Sequence, residues 1–296
     1  MIWIIYSLIS AFFFGLRDIL VKKVDNDKVN SLDLIFVEYL ILILFLFIIF
    51  PNKINFSLFL PMWDLYLVKA ISILASTGLY FYLLKKYDIS KVSPLLNLSP
   101  IFLIIMTNFI LFEYLTWYQY LGIFLILLST YYLEIILYHV NHEKPHIHHL
   151  NILKSLKTNF FILVIIVLIT ISLRAILDKI TLAKANVITD LFFTGLFIFI
   201  ILLFYYAFSK RELSIVEKAM YNPLIFLIAL FGIFSNFFIL LATAIPIALV
   251  SLIIPIRRIS TLFSSLMGGI LFHEEKLFSK SMTIIVMLLG FFLIVI

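Results

Sequence analysis

Ten apolar runs, each close to the length of a membrane-crossing helix, follow one another along this chain. They fall near residues 3–23, 31–50, 64–84, 92–112, 117–138, 159–179, 187–208, 221–244, 248–271 and 278–296, and charge, Pro or Asn breaks them. Crossing the hydrocarbon core takes about 20 predominantly apolar residues, because a helix rises about 1.5 Å per residue through a layer about 30 Å thick. Backbone polar groups in lipid must bond within their own segment, so such runs are read as helices. Composition agrees. Hydrophobic residues make up 64% of the chain and charged residues 13%, with a mean hydropathy of +1.19. A soluble domain carries roughly 25% charged residues, so water cannot be the solvent for this fold. The expectation is an all-α, multi-pass protein of the cell membrane.

Run ends carry suitable punctuation. Asn222-Pro223 offers an N-cap followed by proline at the first helical position. Asp33 and Asp190 open the second and seventh runs, where the helix dipole favours negative charge. Trp3, Trp63 and Trp117 lie near run ends, as an interfacial aromatic belt requires. The first run, Ile2 to Val21, has no basic leader or small-residue cleavage site and reads as a retained span.

Several chemistries are excluded early. The chain has no cysteine, which removes disulfides, thiolate metal sites and cysteine nucleophiles. Its net charge of +6 sits at run ends and suits anionic lipid headgroups, not nucleic acid. No metalloprotease helix, phosphate-cradling glycine loop or nucleophile elbow is present, and no cofactor is expected. His139, His142, His146, His148 and His149 crowd residues 139–158, but their spacing does not match one rigid metal site. A solvated connection between two halves, residues 1–138 and 159–296, is the simpler reading.

Those halves repeat. Leu16-Arg17-Asp18-Ile19-Leu20-Val21-Lys22 returns as Leu173-Arg174-Ala175-Ile176-Leu177-Asp178-Lys179, and at the same offset of 157 Asp33 meets Asp190 and Phe36 meets Phe193. An offset of 161 then pairs Pro94 with Pro255, Ser99 with Ser260, Phe102 with Phe263 and Glu113 with Glu274. Five spans per half is an odd number, so the second half enters the membrane from the opposite face. Inverted repeats of this kind mark many secondary transporters, with the site near the midplane where the halves meet.

Phe81-Tyr82-Leu83-Leu84-Lys85-Lys86, Val92-Ser93-Pro94-Leu95-Leu96-Asn97-Leu98-Ser99-Pro100-Ile101-Phe102, Leu111-Phe112-Glu113 and Gly122 resemble the end of an EamA domain. Val250 to Glu274, with Pro255-Ile256-Arg257-Arg258-Ile259-Ser260 and Gly268-Gly269, is similar to a second one. This domain defines the drug/metabolite transporter superfamily. The resemblance implies ten helices in two inverted five-helix repeats around a central cavity, alternating access, and efflux or exchange of amino acids, other metabolites, drugs or phosphorylated sugars. It also implies cytoplasmic termini, whereas the basic residues, counted by connection, favour termini outside. One departure is Glu38, which stands in the second span where family members often carry arginine.

Charges within spans are expensive and mark cavities or partners. Arg257 and Arg258 fall near the middle of the ninth span; being adjacent, they point about 100° apart. Arg258 is expected to face the cavity opposite its repeat mate Asn97, and Arg257 to pair with a carboxylate. Arg17 and Arg174 either snorkel to the interface or line the cavity. Asp18 and Glu38 are their expected partners, or proton-coupling sites; Asn236 either meets solute or ties helices together. Pro94 and Pro255 either start helices or bend them, freeing the carbonyls of Ser90 and Ser251, which the serine hydroxyls could help satisfy. Lys69 reads as an interface anchor, and Glu113 and Glu274 as caps or interhelix pairing groups. The functional expectation is a carrier of a small polar solute, with a coupling proton or counter-substrate. The alternative is a membrane-embedded enzyme acting on lipid, for which His273 with Glu113 or Glu274 is the available cluster.

Overall fold

The computed structural model describes residues 2–23, 31–86, 98–141, 158–209, 223–260 and 277–295. Among these residues the chain is helical, without strands. Its helices are α1 (Ile2–Lys23), α2 (Ser31–Ile49), α3 (Phe59–Lys86), α4 (Ser99–Ile110), α5 (Trp117–Asn141), α6 (Thr158–Leu182), α7 (Val187–Ser209), α8 (Pro223–Ala244), α9 (Val250–Arg257) and α10 (Leu277–Val295). Two 3-10 turns, Pro51–Lys53 and Phe56–Leu58, precede α3. Six of the helices are long and apolar enough to cross a membrane: α1, α2, α3, α6, α7 and α8. The described helical part of α4 is shorter, at 12 residues, and that of α9 is 8 residues.

Exposed apolar surface is extensive, as lipid-facing helices require. Phe109, Phe204 and Phe208 are exposed on α4 and α7, and Trp63 and Trp117 at the starts of α3 and α5. The most extensive helix packing joins early helices to late ones: α1 with α8, α3 with α6, α5 with α10 and α2 with α7. Exchanging each helix for the one five places away turns the α1–α8 pair into α6–α3, α4–α6 into α9–α1, and α3–α7 into α8–α2, all of which are present.

Two contacts show how closely the backbones meet. A Cβ at Gly122 would lie 2.6 Å from the carbonyl oxygen of Gly290, and one at Gly290 would lie 2.7 Å from that of Gly122. Lipid offers little hydrophobic drive for helix association, so close packing through small residues has to supply it. Between α1 and α8, Ser10 Oγ donates to the Ser235 carbonyl at 2.8 Å and Ser235 Oγ donates back to the Ser10 carbonyl at 3.0 Å. Phe13 stacks on Phe234 and Phe238 in the same seam. The repeat mates Phe36 and Phe193 are both buried, 5% and 2% exposed, in one apolar cluster.

The connections are fastened by polar side chains. Asn186 caps α7, its Oδ1 accepting from the Thr189 amide at 2.8 Å, while its Nδ2 donates to the Lys53 carbonyl at 3.0 Å. α4 ends on Phe112 in the left-handed conformation (φ 55°), and the Glu113 amide returns to the Thr107 carbonyl at 3.3 Å. That reversal carries Glu113 to the start of α9. Its carboxylate accepts from the Val250 amide at 2.8 Å, the Ser251 amide at 3.0 Å and the Ser251 hydroxyl at 2.5 Å. Of the capping or interhelix pairing expected, Glu113 thus caps α9, a helix far along the chain from its own. Glu274 lies outside the described residues.

Candidate intramembrane site

Charged side chains from α1, α2, α6 and α9, with Asn236 from α8, converge inside apolar helices. Arg17 Nη2 donates to Glu38 Oε2 at 2.7 Å, and the Glu38 side chain is 6% exposed. Gly232 makes room for this pair, since a Cβ there would sit 2.6 Å from Glu38 Oε1 and 3.2 Å from Arg17 Nε. Arg174 Nη2 donates to Asn236 Oδ1 at 3.4 Å. Both repeat-mate arginines thus turn inward instead of snorkelling. Arg17 pairs with Glu38, and Glu38 also lies in the fields of Arg174 and Arg257.

Arg257 ends α9 and Arg258 is its C-cap, just beyond Pro255. Pro255 removes an amide donor, α9 ends two residues later, and the Arg258 and Ile259 amides bond three residues back, to Pro255 and Ile256, at 3.0 Å each. Ser251, expected to help satisfy its own freed carbonyl, instead gives its hydroxyl to Glu113. Arg257 lies over the Phe14 ring, 4.5 Å from its centroid, and donates to Ser235 Oγ at 3.2 Å, with Asp18 acting on it electrostatically. A cation over an aromatic face inside a desolvated site is stabilised by the ring quadrupole, so Arg257 meets a ring and a hydroxyl besides the field of the Asp18 carboxylate. Arg258 Nη2 donates to Ser99 Oγ at 2.5 Å. The neighbouring expectations, Asn97 opposite Arg258 and a bend at Pro94, lie outside the described residues, as do His142, His146, His148, His149 and His273.

A second polar centre was missed by the sequence reading. Lys69, expected at the interface, is 2% exposed and lies ten residues inside α3. Its Nζ is 2.6 Å from Asp178 Oδ1 on α6 and 2.5 Å from Asp190 Oδ2 on α7. A cavity of about 20 Å³ adjoins this triad, with Tyr39, Thr194, Arg174 and Asn236 on its walls. It has room for about one water. Asp33, the repeat mate of Asp190, instead accepts a hydrogen bond from Tyr206. Equivalent positions have therefore taken different partners. The signal available for Asp178 was the repeat itself, which sets an aspartate against Val21. Nothing local marked Lys69 as buried.

Lys179 was legible only as a span end. Its ammonium donates to the carbonyls of Ile245 and Ala248 at 2.8 Å each and Thr243 at 3.1 Å, closing the end of α8 and its turn into α9. Cations at helix C-termini offset the exposed carbonyl dipoles.

The model of the EamA-like transporter family matches residues 1–134. Those residues, a little under half of the chain, are similar to an EamA-like domain. With six helices among the described residues long and apolar enough to cross a membrane, the chain is a multi-pass integral membrane protein. One solved crystal structure aligns with 99% of this chain and 94% of its own at a TM-score of 0.70 and 10% identity. At that identity the likeness is one of fold alone. None of the curated proteins matches the chain.

Proposed function

We propose that this chain is a secondary transporter that exports a small polar solute, an amino acid or another metabolite or a drug, across the cell membrane by alternating access. The observation that carries this reading is the convergence of Arg17, Glu38, Arg174, Asn236 and Arg257 from early and late helices within apolar segments. Ionisable groups at such depth mark solute or ion pathways. Packing that is preserved when helices five apart are exchanged supports two inverted repeats, residues 1–138 and 159–296, with residues 139–158 joining them. Arg258 and Asp18 belong to the same solute site in this reading, with Asn97 facing Arg258 and Pro94 and Pro255 as paired bends. Glu113, one of the two acids named for a lipid-acting enzyme, is already occupied as the cap of α9.

The test has two stages. A thermal-shift screen of amino acids, sugar phosphates and drugs on the purified chain identifies a stabilising solute, and counterflow of that solute is then measured in proteoliposomes. Exchange without chemical change is expected, together with loss of stabilisation in Arg258→Ala. Lipid turnover without solute exchange would overturn the transporter reading, and stabilisation that ignores Arg258→Ala would remove that residue from the site.

A further inference from the structure

The Lys69 triad contains one base and two acids. An ammonium neutralises one carboxylate, and like charges this close resist joint ionisation in a desolvated site. Asp190 is 0% exposed and its Oδ1 has no hydrogen-bond partner. Asp178 Oδ1 lies within ion-pair distance of the Lys69 ammonium, at 2.6 Å. Thr194 Oγ1, 4% exposed and on the cavity wall, is also without a partner. Buried polar atoms left in this state are costly, and one added hydrogen with one cavity water can serve several of them.

We propose that Lys69, Asp178 and Asp190 form a proton-binding site, with one proton held on the two carboxyl groups, and that this site couples transport to a proton gradient. The coupling clause rests on the transporter reading above; proton binding does not. The proton passes from cavity water to a carboxylate oxygen, forming one O–H bond and consuming nothing else. A metal cation is disfavoured at this point because the ammonium already occupies the centre. The other charged or titratable groups turned toward the triad, among the described residues, are Tyr39 on α2, Tyr66 on α3 and Arg174 on α6. Arg174 gives its hydrogen bond to Asn236, across the cavity. Lys69 lies on an early helix and both aspartates on late ones, so loading or emptying the site changes the electrostatics of the surface along which the two groups of helices meet.

Infrared difference spectra of the full chain in phosphatidylethanolamine–phosphatidylglycerol vesicles, recorded between alkaline and acidic buffer, test the site without any solute. Wild type should show the carbonyl band of a protonated carboxyl group, shifted in heavy water. The band should be lost in Asp190→Asn or Asp178→Asn, unchanged in Asp64→Asn at the exposed start of α3, and enlarged in Lys69→Met, which leaves two acids without their base. If Asp190→Asn fails to fold, Asp178→Asn, at a less buried position, carries the comparison. Absence of the band from wild type overturns the proposal, as does a band that survives both aspartate substitutions or disappears only in Asp33→Asn. Proton binding without solute exchange would leave this site standing and sink the transporter reading instead.

Discussion

Glu38 lies directly against the backbone of Gly232, so closely that a methyl group there would fall 2.6 Å from its Oε1 and 2.9 Å from its carboxyl carbon. The ion pair with Arg17 therefore depends on an uncluttered face of α8. Gly232→Ala should push the carboxylate off Arg17 and cost about 1–3 kcal/mol, the range for overpacking. Thermal unfolding in detergent micelles checks this. If the pair is the element disturbed, combining Gly232→Ala with Glu38→Gln should cost less than the two changes summed, because both act on one contact.

The approach of α5 to α10 gives a sharper contrast. Gly122→Ala and Gly290→Ala each drive a methyl group into a backbone carbonyl of the partner helix, which cannot swing away as a side chain can. Each should cost about 1–3 kcal/mol. Gly78→Ala meets nothing within 4 Å, and should be neutral or stabilising by about 0.5–1 kcal/mol through helix propensity. Melting temperatures of the three variants, measured side by side, decide the matter.

Removing the cap on α9 should be felt at the arginines that follow it. Glu113→Ala strands the Val250 and Ser251 amides and should cost about 1–3 kcal/mol, whereas Glu113→Gln keeps an acceptor and should cost less. Hydrogen exchange of the amides at the start of α9 should rise in the alanine variant first. Equal exchange in both variants would mean that the carboxylate is not what holds this helix.

Lys69→Met leaves two adjacent buried carboxyl groups without their cation. Breaking a buried pair in this way costs about 3–5 kcal/mol. The Lys69→Met/Asp190→Asn double variant removes the orphaned charge as well and should recover part of that loss. A double variant no better than Lys69→Met alone would show that packing, not charge, sets the cost.

Much of the architecture is legible in the linear chain. Hydropathy placed α1, α2, α6 and α7 to within a few residues, and Pro223 does begin α8. The repeat singled out Arg17 and Arg174, and both face inward. The partners were harder to read. The Phe14 ring beneath Arg257 was not foreseen, and Lys69 was placed at the interface but is buried between two aspartates.

The reason lies in what a contiguous segment can encode. Span length and the cost of exposing apolar side chains to water are local quantities, so the chain alone settles that it crosses a membrane as helices. Which face of a nearly uniform apolar helix turns inward is not local, because lipid and protein interior are almost equally good solvents for Leu, Ile and Phe. Only docking of α3 against α6 and α7 decides that Lys69 meets Asp178 and Asp190, the latter 121 positions away. The linear order supplies the charges; tertiary packing chooses their partners, since each buried charge must find one in the low-dielectric interior.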